Sequence, residues 1–283
     1  MMPPRSTSLS AMPRSCSLLH ALALCAALAS CSSTPVNTST DAPAPTGYLQ
    51  GSAIPDSLAL IPPPPVAGTA RAALDEAVAA QALALRDSPR FRQAGIDADL
   101  RFPGGAGQFS CALGIPIDPQ HTPALMRLLQ RSLIDASAST RAAKNHYRRP
   151  RPFLGNGQAI CSPGDEAHLR ESASYPSGHS AIGWTWALLL SEIAPEQATA
   201  LLERGRNYAQ SRLVCNVHWY SDVQQGQLLG AATVARLHDN PQFRSDLAAA
   251  RAEIATARAA ALPMQRDCAA EAAALATELT EAR

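Results

Sequence analysis

This sequence predicts an all-α protein, and three observations carry the prediction. Aromatic residues make up only 5% of the 283 residues while Ala and Leu abound, a balance that favours packed helices over a β-sandwich. Apolar residues recur at three- and four-residue spacings over long stretches. No stretch shows the alternation of a half-buried strand, and no internal repeat is present. The length suffices for one large domain with a sizeable core. We therefore expect a single-domain helical bundle built around one buried central helix.

The elements follow in chain order. Residues 1–30 are read as an export signal rather than as fold. Arg5 and Arg14 supply positive charge, and Leu18 to Ala29 form an apolar core shorter than the ~20 residues of a membrane span. Leu28-Ala29-Ser30-Cys31 resembles the lipobox of bacterial lipoproteins, in which the cysteine is acylated and becomes the new N-terminus; an ordinary signal peptide cut near Ala29 is the alternative. Ser32 follows Cys31 where Asp does not, which in enteric bacteria favours the outer membrane. A periplasmic protein, lipid-anchored through Cys31, is expected. No later segment is apolar for long enough to span a membrane.

Residues 31–54 are read as a flexible Ser/Thr/Pro/Ala tether, 55–260 as the folded domain and 261–283 as an Ala-rich tail. Ile61 to Pro65 is stiff, proline-rich chain. Thr69 is a candidate N-cap for a helix to about Arg86, with Leu74, Val78 and Leu85 on one face. Pro103 to Pro119 reads as loop. Pro123 opens a long helix to about His146, with Leu125, Leu128, Leu129, Leu133 and Ala136 on its buried stripe. It ends there because Arg149 and Arg151 each precede a proline and are pushed towards extended geometry. Residues 154–174 read as loop. Pro176 starts a helix that is apolar almost all round (Ala181, Ile182, Trp184, Trp186, Leu188 to Leu190, Ile193), as a buried central helix would be. Pro195 opens the next, to about Gln210; Ser211 to Asn216 is a break; 217–238 is helical; and Asn240 caps a helix starting at Pro241. That last helix and the tail carry charge at regular intervals and are expected to face solvent.

Net charge is +1 and charged residues are 17% of the chain, so no basic surface for nucleic acid is indicated. Cys111, Cys161, Cys215 and Cys268 remain after the export segment. That is an even set in an oxidising compartment, and three pairings are open to it. Near neighbours pair more often, which points to Cys111–Cys161 and Cys215–Cys268. No C-x2-C spacing supports a zinc site.

Candidate chemistry lies in three stretches: Lys144 to Pro152 as K-x6-R-P, Pro176-Ser177-Gly178-His179, and Ser211 to Asp222 as S-R-x5-H-x3-D. His218 and Asp222 are four apart, so on a helix the carboxylate can hold the imidazole. A phosphate dianion wants fixed positive charge: Arg151 and Arg212 offer guanidinium forks and Lys144 a compact point charge. Ser177 and Gly178 begin the buried helix, where free amides attract anions. Among the other histidines, His20 leaves with the signal, and His121, His146, His168 and His238 read as surface groups. Trp184 and Trp186 read as core, and Tyr175 as a candidate for the pocket mouth.

These three stretches resemble the signature of the type 2 phosphatidic acid phosphatase superfamily, which also holds vanadium-dependent haloperoxidases. The neighbouring Ser174-Tyr175, Cys215, His218-Trp219 and Phe153 are similar to bacterial class A non-specific acid phosphatases, over roughly residues 55–255. The resemblance implies a type 2 phosphatidic acid phosphatase-like helical fold and a broad-specificity acid phosphatase acting on small phosphomonoesters. It implies His218 as nucleophile, Asp222 as its orienter and His179 as general acid. Lys144, Arg151, Ser177, Gly178 and Arg212 then hold phosphate, with no metal or cofactor, in a homo-oligomer. A haloperoxidase and a lipid or isoprenoid phosphate phosphatase are the enzyme alternatives, and an anion-binding lipoprotein with a dead site is the non-enzyme one.

Overall fold

Several helices start at capping side chains that the sequence displays. In the computed structural model, which describes residues 45–277 and Leu279, Asp56 caps α1 (Ser57–Leu60) and Thr69 caps α2 (Ala70–Leu83). Ser88, with Pro89 at the first position, caps α3 (Pro89–Asp97). Each cap's side-chain oxygen accepts from a first-turn amide that no helical carbonyl can reach. A short α4 (Ser110–Leu113) precedes α5 (Pro123–Ser139) and α6 (Arg141–Tyr147). Then come α7 (Pro152–Asn156), α8 (Glu166–Glu171) and α9 (Gly178–Ile193). They are followed by α10 (Ala198–Val214), α11 (Tyr220–Leu237), α12 (Pro241–Ala259) and α13 (Cys268–Leu275). The described residues hold no strand, and the fold is all-α as expected. No helix among them is long and apolar enough to cross a membrane. Cys31, His20 and the apolar segment before Cys31 lie outside the described residues.

The centre of the bundle is α9. It packs against α10, α11 and α5, and α12 closes the far side of α5. Ala181, Trp186, Ala187, Leu189 and Leu190 are fully buried, and the Trp186 indole N–H donates to the Leu129 carbonyl of α5 at 3.0 Å. Glycines let the backbones approach. A Cβ at Gly226 of α11 would lie 2.4 Å from the Ser177 carbonyl, and one at Gly183 of α9 2.3 Å from the Tyr208 ring. A second apolar cluster (Val78, Phe153, Ile160, Leu213, Val217, Val223) ties α2 and α7 to the α10–α11 junction.

Several expectations are corrected. On α2 the buried face is Ala72, Asp75, Val78 and Ala82, and Leu74 is exposed; Asp75 points inward because its carboxylate has buried donors. The helix from Pro123 breaks at Thr140, so Lys144 sits in the last turn of a separate α6. The stretches 103–119 and 154–174 contain short helices. The break expected at Ser211 starts later, since α10 continues to Val214. Cys215 to Trp219 is the true break, with Asn216 at φ 64°. The helix from Pro241 is not a solvent-facing ornament, because it buries Phe243, Leu247, Ala250 and Ile254 against the core. Chain assigned to the tether is also packed: the amides of Tyr48 and Leu49 both donate to the Asp135 carboxylate at 2.9 Å.

The disulfides pair differently from the near-neighbour expectation. Cys161 joins Cys215, and Cys111 joins Cys268 across 157 residues. Tertiary topology overrides sequence distance here. The loop carrying Cys161 runs alongside the end of α10, its amide donating to the Cys215 carbonyl at 3.4 Å. Meanwhile α13 folds back beside α4 in the Ala-rich tail.

Candidate active site

The three motif stretches converge on one cleft of about 750 Å³, lined among others by Lys144, Arg151, Gly178, His179, Arg212 and His218. His218 lies in the break before α11, not on the helix. It still meets Asp222, because Asp222 is in the first turn of α11 and reaches back. Its Oδ2 accepts from the Trp219 amide at 2.8 Å and lies 3.3 Å from His218 Nδ1. The other ring nitrogen, Nε2, is 3.1 Å from Arg151 Nη1. A guanidinium can only donate, so Nε2 carries the lone pair and Nδ1–H faces the carboxylate.

Arg151 is buried, and its fork is held by protein acceptors. Nε donates to the carbonyls of Leu169 and Ser172, Nη1 to that of Val217, and Nη2 to Ser172 Oγ and the Ala173 carbonyl. Lys144 Nζ donates to the Ala173 carbonyl at 2.7 Å. Arg212 differs: it is 1% exposed, and its Nε and Nη1 have no hydrogen-bond partner. A guanidinium so buried with idle donors, beside the cleft, is what an anion subsite requires. His179 Nε2 lies 3.0 Å from the Ala98 carbonyl, so that nitrogen carries hydrogen and Nδ1 is left for the cleft. The Ser177 hydroxyl accepts from the Ser180 amide as the cap of α9. The first-turn amides of Gly178 and His179 therefore remain as the donors no helical carbonyl can satisfy.

Electrostatics follow from burial among cations. Desolvation pushes the His218 imidazole well below its usual pKa, and Arg151, Lys144 and Arg212 push the same way. His179 is likewise lowered, by burial first and then by Arg212. Burial and the Arg151 charge lower Lys144 to about 7, against the pull of Asp222. Arg151 falls to about 10 through burial and Arg212. Burial pushes the Asp222 carboxyl up, and Arg149 opposes it most. Burial and the surrounding cations thus favour the neutral form of both imidazoles.

Tyr175 is not at the mouth; it is fully buried, and its hydroxyl donates to the Pro62 carbonyl. Trp186 is core, and Trp184 packs half-buried against it. His121, His146 and His238 stand at the surface, while exposed His168 lines the outer cleft. Sequence reasoning missed Arg149, whose Nη1 donates to Asp222 Oδ1 at 2.6 Å and to Ser221 Oγ at 2.8 Å, and whose Nη2 donates to Asp75 Oδ2 at 2.7 Å. It also missed the buried set behind Arg212, in which Arg204 pairs with Asp97 and Glu271. Asp75 had a signal: a carboxylate three residues from Ala72 and from Val78, on the apolar face of its helix. Among the described residues no group of three or more His, Cys, Asp or Glu side chains is placed to hold a metal ion.

A buried helix terminus, a cationic cleft and a carboxylate-held histidine define a phosphoryl-binding helical protein, and comparison with known families agrees. The PAP2 superfamily matches residues 127–245. A protein named non-specific acid phosphatase from Providencia stuartii is 44% identical over 74% of this chain and 84% of its own length. An acid phosphatase from Zymomonas mobilis is 38% identical over 73% of this chain and 78% of its own. A non-specific acid phosphatase from Salmonella typhimurium is 40% identical over 69% and 78%. The chain belongs to the PAP2 superfamily, and its relatives there are acid phosphatases.

Proposed function

We propose that this PAP2-superfamily phosphatase hydrolyses small phosphate monoesters through a phosphohistidine at His218, without a metal ion. The observation that carries the reading is the orientation of His218: Nδ1–H towards Asp222, and the Nε2 lone pair facing the cleft where Arg151 and the idle donors of Arg212 converge. The phosphoryl group takes hydrogen bonds from Arg212, Lys144 and the amides of Gly178 and His179, while Arg151, whose donors are held by protein acceptors, adds its positive charge. Its equatorial oxygens take the hydrogen bonds that stabilise charge in the transition state. Nε2 attacks phosphorus, the P–O bond to the alcohol breaks, and His179 gives its proton to the departing oxygen. Asp222 stabilises the cationic ring that forms. Water then attacks phosphorus, its proton passes to His179, and the P–N bond breaks to release phosphate and neutral His218.

Burial and nearby cations favour the neutral imidazoles, so His179 takes up its proton as the substrate dianion offsets the cationic field. We place the enzyme in the periplasm, anchored through Cys31 and active on many leaving groups. The test is acid-quench labelling with a phosphorylated substrate and mapping of the labelled peptide. Label on His218, its loss in His218→Ala, accumulation in His179→Ala with good leaving groups, and indifference to EDTA are expected. Label elsewhere, or full turnover in His218→Ala, would defeat the reading. Vanadate inhibits such an enzyme, whereas in a haloperoxidase it would switch on halide oxidation by peroxide.

A further inference from the structure

Asp222 has two oxygens, and the proposed chemistry uses only one. Oδ2 faces His218 Nδ1 and the Trp219 amide; Oδ1 accepts from Arg149 Nη1 at 2.6 Å. Arg149 does not touch the cleft as a phosphate ligand would, because its other end is occupied. Nη2 meets Asp75 Oδ2 at 2.7 Å, and its guanidinium lies over the Trp219 ring at 5.2 Å. Asp75 is held in turn: the Ser221 amide donates to Oδ1 and the Ser221 hydroxyl to Oδ2, each at 2.7 Å. Asp75 is 2% exposed and Asp222 0%, so neither carboxylate has bulk water as an alternative partner. A guanidinium only 13% exposed, between two buried carboxylates, is a rigid, planar connector.

We propose that Arg149 and Asp75 are positioning residues for the phosphoryl-transfer step: Arg149 fixes the plane of Asp222, and so the ring orientation of His218, while Asp75 on α2 fixes Arg149. This rests on the nucleophile assignment above. It makes α2, far away in sequence and carrying none of the three motif stretches, a working part of the site.

The charges make the proposal separable from simple structural support. Facing Asp222 are Lys144 from α6, Arg149 and Arg151 from the segment before α7, His218 from the α10–α11 break and Tyr175 from the loop before α9. Asp75 of α2 acts through Arg149. Removing the Arg149 cation favours protons on the His218–Asp222 pair, so the acid limb of kcat/KM moves to higher pH. Removing the Asp75 anion disfavours them, so the limb moves to lower pH. The two groups titrate as a pair, and the sign holds whichever of them carries the proton.

The experiment compares Arg149→Met, Arg149→Lys, Asp75→Asn and Asp222→Asn by pH profile, by inhibition with inorganic phosphate and by thermal melting. Arg149→Met is expected to lose about 10–100-fold in kcat/KM, the usual cost of removing the outer partner that orients a functional histidine. Its acid limb should rise by roughly 1–3 pH units. Arg149→Lys should restore the limb and part of the rate, Asp75→Asn should shift the limb downwards, and phosphate inhibition should change far less than kcat. An unshifted limb in Asp75→Asn, with rate falling only in step with folded protein, would overturn the proposal even if Arg149→Met fails to fold. If the Asp75→Asn limb stays put while Asp222→Asn abolishes turnover, the positioning role alone falls. Full turnover in Asp222→Asn would sink the nucleophile assignment and this proposal together.

Discussion

Lys144 shows how one side chain can set a working pH. Its ammonium is buried beside Arg151 and held by the Ala173 carbonyl, and its pKa drops to about 7. In the proposed site a bound dianion draws on that charge, so its affinity should be full below about pH 7 and fall as pH rises through it. We expect inhibition by molybdate, whose charge is constant between about pH 6 and 9, to weaken with rising pH over that window. In Lys144→Met the dependence should flatten. An inhibition constant that stays level in the unaltered protein would contradict the assignment. The same burial keeps His218 and His179 neutral in the folded protein. The unfolded chain therefore takes up protons below about pH 6.5 that the folded one refuses, and stability falls as pH falls through that value. Substrate anions oppose the loss.

At the scale of elements, the site depends on how closely α11 lies against α9. The Ser177 amide donates to the Asp222 carbonyl at 2.9 Å, so the first turn of α11 and the cap of α9 are joined directly beside His218. Gly226 permits that contact, since a Cβ there would sit 2.4 Å from the Ser177 carbonyl, and backbone cannot swing aside as a side chain can. Gly226→Ala should cost about 1–3 kcal/mol of stability through overpacking, and kcat should fall with it as Asp222 and Ser177 separate. Gly155→Ala is the control, because a Cβ there meets nothing within 4 Å. Chemical denaturation and kcat for the two variants decide the matter, and equal behaviour would show that the glycine is incidental. The Cys161–Cys215 disulfide adds a second restraint at the same junction, gripping the chain three residues before His218.

For the whole molecule, the C-terminal tail is tied to the core. The tail returns to the core through Cys111–Cys268, and Glu271 of α13 accepts from Arg204 Nε at 3.1 Å. Arg204 also holds Asp97, which accepts from the Ser211 hydroxyl next to Arg212. A line of buried polar contacts thus runs from the tail to the phosphate clamp. Cys31 is the proposed anchor. Cys31→Ser should release the protein from membrane fractions into the soluble periplasm without altering its kinetics. Recovery of the unaltered protein there, with an unmodified N-terminus at another residue, would exclude the lipid anchor.

Much of this was legible in the residues alone, and for a physical reason. Anion chemistry needs particular side chains at particular spacings, so Lys144, Arg151, His179, Arg212, His218 and Asp222 announce themselves locally. Helix caps such as Thr69 and Asn240 are legible too, because capping is a contact within three residues. Long-range partners are not. Only the folded chain brings Asp75 to Arg149 across 74 residues, or Cys111 to Cys268 across 157. Nothing in the local sequence encodes which helix returns to which. The break that holds His218 was misplaced for the same reason, since α10 gains burial for Ser211 to Val214 by continuing. Local sequence determined the candidate chemistry and several helix starts; tertiary packing decided which groups stand against the proposed catalytic ones.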